Sequence, residues 1–222
     1  QAKPMRAKAP RLVPIDSLLT LGEELMGKGR RTMERGQIRS GAQLFRDGLL
    51  IAVLAARPLR RGNVAQLRVG SSFVETAAGF QVRLSRDATK GKQPIDFTYP
   101  DWLTPYFRFY LDHVRPVLRA RTSEPDLGDL WIGRRGRTLP AVDIWVRITR
   151  LTATYLGRPV SPHLFRDCAA TDIALHDPQH VGIVKSVLGH ASLATGQRYY
   201  NQATSLSAAA KHSMVISRIR TK

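Results

Sequence analysis

A single cysteine, Cys168, stands in 222 residues, so no internal disulfide can form and nothing in the chain asks for an oxidising compartment. Secretion is disfavoured on that ground, and the cytoplasm is the expected location. Long apolar runs are missing as well. The longest, Leu49 to Ala56, is less than half of the roughly 20 residues that a membrane span needs, and it ends in Arg57. No membrane partner is expected. Acidic side chains are scarce, with 17 Asp and Glu against 35 Lys and Arg, a formal net charge of +18. No cluster of Asp, Glu, His or Cys stands at metal-ligand spacing, so neither a metal nor any other cofactor is expected.

What is present reads as a folded chain. Hydrophobic residues at 43% and charged residues at 23% are ordinary for a globular protein, and the length suffices for one large domain or two small ones. The surplus of cations calls for a polyanionic partner, because a basic surface that releases counterions is the usual footprint of nucleic-acid binding. The cations gather at residues 28–39, 57–68, 83–92 and 134–137, between segments patterned for packing, which suits a saddle around a duplex. A solvated surface kept basic for solubility is the plainer alternative. The first residue is Gln1 and no signal-peptide pattern precedes the charged opening, so the chain is expected to be a piece of a longer polypeptide.

Along the chain, residues 1–13 carry Pro4, Pro10 and little periodicity, the signature of a linker, and order is expected to begin near Asp16. Asp16 or Ser17 is expected to cap a helix with Leu18, Leu21, Leu25 and Met26 on one face, followed by a buried helix from about Gly41 to Ala56. Phe80, Val82 and Leu84 alternate, as do Ile95, Phe97 and Tyr99, which predicts two antiparallel strands; Leu67 to Glu75 is expected to supply a third. Asp101 reads as the cap of a helix that Pro116 should bend or end. An amphipathic helix from Pro140 to Leu156 closes at Gly157, and Ser161-Pro162 opens another that runs to about His176. Short helices are expected near residues 181–188 and 193–201, and a last one near 207–220. The fold class is therefore α+β, mostly helical, with a small three-stranded antiparallel sheet.

Five local patterns stand in one order. Arg57-Pro58-Leu59-Arg60-Arg61-Gly62-Asn63-Val64-Ala65-Gln66-Leu67 presents an arginine at a helical turn, and Thr89-Lys90-Gly91-Lys92 sits between the strands. His163-Leu164-Phe165-Arg166 places His163 and Arg166 on one face of a helix. Leu188-Gly189-His190 comes next, and Tyr199-Tyr200 follows nine residues after His190. In this order the patterns resemble the catalytic domain of the tyrosine recombinase (phage integrase) family over roughly residues 14–222. The position three after Arg60, usually acidic in that family, is Asn63 here.

The residue types fit the chemistry that the resemblance implies. In-line attack on a phosphodiester builds negative charge on nonbridging oxygens, which the guanidiniums of Arg60 and Arg166 can meet with directional donors. A tyrosine hydroxyl is a poor nucleophile near neutral pH until its proton is removed. Tyr199 is the candidate nucleophile and His163 the proton acceptor. Lys90 is assigned as proton donor to the departing 5′ oxygen, and His190 by resemblance holds a phosphate oxygen. Arg57 and Arg61 compete for the place of Arg60, Lys92 for that of Lys90, and Tyr200 for that of Tyr199. The resemblance further implies double-stranded DNA as partner, a 3′-phosphotyrosine intermediate, a Holliday junction and a homo-tetramer on two DNA sites. It also implies that residues 1–13 lead from a missing N-terminal DNA-binding domain, and that the final helix, with Met214, Val215 and Ile219, docks on a neighbour. Type IB topoisomerases and telomere resolvases use similar residues, and a regulator that binds DNA but has lost catalysis is the alternative from another class.

Overall fold

The computed structural model describes residues 12–176, with side chains through 173. The helices expected near 181–188, 193–201 and 207–220 lie outside the described residues, as do His190, Tyr199, Tyr200, Met214, Val215, Ile219 and most of the expected linker. Leu12 is half-buried and Val13 buried, with the Val13 amide against Cys168 Sγ at 3.5 Å and Arg158 donating to the Leu12 carbonyl at 3.2 Å. The packed body thus begins ahead of Asp16.

Helix α1 spans Ile15–Glu34 and α2 spans Ile38–Ala56. Leu18, Leu21, Leu25 and Met26 form the buried stripe of α1, while the last two turns of α2 are buried all round. Glycine sets how closely the two helices approach. A Cβ added at Gly41 would lie 2.5 Å from the Gly29 carbonyl oxygen, and one at Gly29 would lie 2.5 Å from the Phe45 nitrogen. Only a hydrogen fits at that crossing. The expected cap at Asp16 or Ser17 is not formed, since α1 starts one residue earlier, after Pro14, without a side-chain cap. Pro14 already holds the extended backbone that precedes a helix, and Asp16 falls in the first turn, where its charge faces the positive helix end.

After the short helix α3, Arg61–Ala65, the chain forms an antiparallel sheet of β1 (Phe73–Thr76), β2 (Gly79–Leu84) and β3 (Ile95–Thr98) in that order. Register pairs Phe73 with Val82 and Val82 with Phe97. The third strand begins at Phe73 rather than Leu67. Residues 68–73 instead form a turn in which the amides of Ser72 and Phe73 donate to the Arg68 carbonyl and Gly70 adopts φ +80°, and Leu67 and Val69 pair with the 128–130 segment. The Gly70-Ser71-Ser72 turn outweighs the alternation of its flanks.

Phe73, Phe80, Tyr99 and Phe107 join rings at centroid separations of 4.9–5.2 Å, fastening the sheet to α4 (Thr104–Phe109). Asp101 lies inside a single 3₁₀ turn, 101–103, and makes no cap bond. Pro116 does not end the helical run. A π turn over Tyr110–Val114 precedes it and α5, Arg115–Arg119, carries it in its first turn, where the widened turn takes up the missing N–H and the ring. Buried Tyr110 donates to the Leu130 carbonyl at 2.8 Å, and burial pushes its hydroxyl pKa up to about 12. Arg115 makes a two-pronged pair with Asp126 at 2.6 Å on both arms, which holds that carboxyl down at about 2.

Helix α6, Ala141–Leu156, closes at Gly157 with φ +66°, and α7, Pro162–His176, starts beneath Ser161. The Ser161 oxygen accepts from the Leu164 amide at 3.4 Å, a cap of the expected kind. The buried face of α7 packs on α1 and α2. Among the described residues no helix is long and apolar enough to cross a membrane.

Candidate active-site cleft

Four separate stretches of chain meet in one cleft of about 560 Å³, lined by Arg60, Arg61, Gly62, Asn63, Lys90, Trp145, Pro162, His163 and Arg166. Its polar lining is cationic or neutral throughout. Among the described residues no group of three or more His, Cys, Asp or Glu gathers anywhere in a form that could hold a metal.

The start of α3 supplies one wall. Leaving α2, the chain makes a tight turn at Pro58, with the Leu59 amide donating to the Arg57 carbonyl at 2.8 Å. Arg60 is the extended residue before α3 and its carbonyl takes the first helical bond, from Val64, at 3.0 Å. This places a half-buried guanidinium at the cleft, with Arg61 exposed beside it. Arg57 turns the other way and lies over the Phe97 ring at 5.0 Å.

Helix α7 supplies the opposite wall. The capped start puts His163 and Arg166 on one side, His163 exposed at the rim and Arg166 only 5% exposed beneath it. Arg166 Nη1 donates to the Pro58 carbonyl at 2.8 Å. A buried, charge-assisted bond of this kind contributes about 1.5–3 kcal/mol, and here it joins α7 to the turn that presents Arg60.

The loop between β2 and β3 brings Lys90. Its side chain is exposed, and Gly91 comes so near Arg60 that an added Cβ would lie 3.5 Å from Arg60 Nη1. Lys92 does not line the cleft; it adopts φ +50° and pairs with Asp87 at 3.3 Å. Of the sequence-predicted residues, Arg60, Lys90, His163 and Arg166 are therefore brought together, while His190 and Tyr199 lie outside the described residues.

Sequence reasoning missed Trp145. It is 42% exposed on the outer face of α6 between exposed Val142 and Val146, and its signal was an apolar triplet on the side of the helix that the Ile144, Ile148 and Thr152 stripe leaves to solvent. A second, wider groove of about 790 Å³ adjoins the cleft at Gly62, with Arg68, Arg83, Ser71, Ser72 and Ser85 in its lining.

No protein-family model matches the chain. Among curated proteins it is similar to tyrosine recombinase XerC of Mycobacterium leprae, 31% identical over 173 residues that make up 75% of this chain and 55% of the relative. It is also similar to XerC of Mycobacterium sp. strain KMS, 30% identical over 191 residues, 78% of this chain and 60% of the relative. Tyrosine recombinase XerD of Chlamydia pneumoniae is 25% identical over 159 residues, 70% of this chain and 48% of the relative. The chain thus spans about half to three fifths of the length of these relatives. Among solved structures, XerA recombinase superposes with a TM-score of 0.61 at 20% identity, over 86% of this chain and 60% of that one. XerH site-specific recombinase, bound to palindromic difH substrate in a post-cleavage complex, superposes with a TM-score of 0.63 at 18% identity, over 90% of this chain and 52% of that one. The fold is that of a recombinase catalytic domain. The chain belongs to the tyrosine recombinase family.

Proposed function

We propose that this chain cuts and rejoins duplex DNA as the catalytic domain of a site-specific recombinase. The observation that carries the reading is the convergence of Arg60, Lys90, His163 and Arg166, far apart in sequence, on one cleft free of acidic lining. Arg60 and Arg166 meet the nonbridging oxygens of the scissile phosphate and stabilise the charge that builds there. The Tyr199 oxygen attacks phosphorus, its proton passing to His163, while the bond to the 5′ oxygen breaks and that oxygen takes a proton from the Lys90 ammonium. A 3′-phosphotyrosine and a free 5′ hydroxyl result. The hydroxyl of a partner strand then reverses the step, and two such exchanges pass through a Holliday junction.

The reading assigns His190 a hydrogen bond to the same phosphate. Its working assembly is a homo-tetramer on two DNA sites, with residues 207–220 docking on a neighbour and a further DNA-binding domain ahead of residues 1–13. The XerH neighbour was solved on a DNA substrate, which supports duplex DNA as the partner.

Covalent trapping tests the reaction and the nucleophile together. Nicked duplexes captured from a randomised pool are expected to form a protein–DNA adduct that maps to Tyr199. Tyr199→Phe should bind DNA and form none, because only the attacking oxygen is removed, and Tyr200→Phe should retain the adduct. An adduct at Tyr200 would move the nucleophile by one residue, and binding without any adduct would leave a DNA-binding regulator.

A further inference from the structure

The loop that carries Lys90 is not held by strand pairing, since the ladder between β2 and β3 ends at Leu84 and Ile95. Two side chains outside the cleft hold it instead. Thr89 is 3% exposed although both neighbours are exposed. Its hydroxyl donates across the loop to the Gln93 carbonyl at 2.6 Å, with the Arg86 carbonyl 3.1 Å away. The Lys92 amide donates to the Thr89 carbonyl at 3.0 Å, so the chain closes around Lys90 on both sides. Gln66, at the end of α3, donates from Nε2 to the Ala88 carbonyl at 2.9 Å. That bond fastens the loop to the short helix whose other end presents Arg60.

We propose that Thr89 and Gln66 are positioning residues that brace the Lys90 loop against the Arg60 turn, so that proton donor and guanidinium meet a phosphate as one preassembled pair. The inference rests on the reading of Lys90 as proton donor. A lysine on an exposed, glycine-containing loop loses conformational freedom when it is fixed at a reacting atom. With Thr89 buried and Gln66 bonded, that loss is met before substrate arrives, as in other preorganised sites. Neither side chain lines the cleft, so each acts through Lys90.

The test uses a substrate that needs no proton donor. Duplexes captured covalently by this chain are remade with sulfur in place of the bridging 5′ oxygen, because a thiolate leaves unprotonated. Thr89→Val, which keeps shape and loses the hydroxyl, and Gln66→Met are each expected to slow cleavage of the oxygen substrate about 10- to 100-fold and of the sulfur substrate less than about twofold. Thr89→Ser should restore the oxygen rate, and duplex binding should not change in the Thr89 variants.

Lys90→Ala separates the two levels of the claim. If it is rescued by sulfur while Thr89→Val and Gln66→Met are equally slow on both substrates, the brace is wrong and the proton donor stands. If Lys90→Ala is equally slow on both, the donor assignment fails and the brace with it. Failure of the unsubstituted chain to cut any duplex would overturn the functional reading itself.

Discussion

The proposed reaction asks Arg166 to serve structure and chemistry at once. A charge that is 5% exposed is costly unless its donors are used, and one arm is spent on the Pro58 carbonyl at 2.8 Å. That bond fixes where the guanidinium stands relative to Arg60. Arg166→Lys keeps a charge but loses the planar fork, so single-turnover cleavage is expected to fall by about 100-fold or more, with duplex affinity changed far less. Urea unfolding should show a loss of about 1–3 kcal/mol for Arg166→Ala, the cost of leaving the buried carbonyl unpaired. Equal losses in binding and cleavage would mean that Arg166 anchors DNA and does not act on the reacting phosphate. The position of Arg166 was legible because Ser161-Pro162 marks a helix start and Arg166 follows His163 at a spacing of three. That Arg60 and Arg61 line the cleft while Arg57 turns away was less so. It depends on the tight turn after Pro58 and on a distant ring, Phe97, that draws Arg57 aside, and no spacing within the segment reports either. Thr89 and Gln66 were written in the same motifs, yet their use rests on carbonyls of residues 86, 88 and 93, and a loop's hydrogen bonds leave no periodic trace.

At the scale of elements, the crossing of α1 and α2 sets the frame for the cleft, because α2 leads into the Arg60 turn and α7 packs on both helices. The approach is close enough that Gly41→Ala must push a Cβ into the Gly29 carbonyl and the Met33 side chain. Overpacking of this kind costs about 1–3 kcal/mol, read as a lower urea midpoint with an unchanged slope. Gly36→Ala meets nothing within 4 Å but sits at φ +85°, so it serves as a comparison in which backbone strain acts without a clash. A midpoint for Gly41→Ala equal to that of the unsubstituted chain would show that the helices can part without loss. The apolar stripes of both helices were plain in the sequence, since burial at a period of 3.6 is local information. The glycine contact was not, because five glycines on two helices can mark flexibility, capping or close approach until the partner helix is in view. The same reason explains the strand expected at Leu67. The Gly70 turn and the pairing partner at 128–130 lie beyond the reach of a local pattern, and the bend or end expected at Pro116 took no account of the π turn ahead of it.

For the whole molecule the governing quantity is charge. The surplus of 35 cations over 17 acids is unchanged by pairing, which takes one charge of each sign, and several of the observed pairs, such as Arg83 with Asp96 at 3.8 Å and Arg68 with Asp129 at 3.6 Å, are more than half exposed on the arginine side. Exposed pairs of that length contribute about 0–1 kcal/mol, so a phosphate can replace the carboxylate at small cost. Both arginines line the groove that adjoins the cleft at Gly62, which gives a duplex centred on Arg60 and Arg166 a continuation along its backbone. Binding is therefore expected to weaken linearly in log affinity against log salt, and Arg68→Ala with Arg83→Ala together should make the slope shallower by about 2, at roughly 0.9 per phosphate contact. Cleavage measured with the enzyme saturated by DNA should be unchanged in the double variant, because neither guanidinium reaches the cleft. An unaltered slope would place the duplex on another face. A loss of cleavage at saturation would mean instead that the groove helps to shape the scissile phosphate, and the separation drawn here between holding the backbone and attacking it would fail.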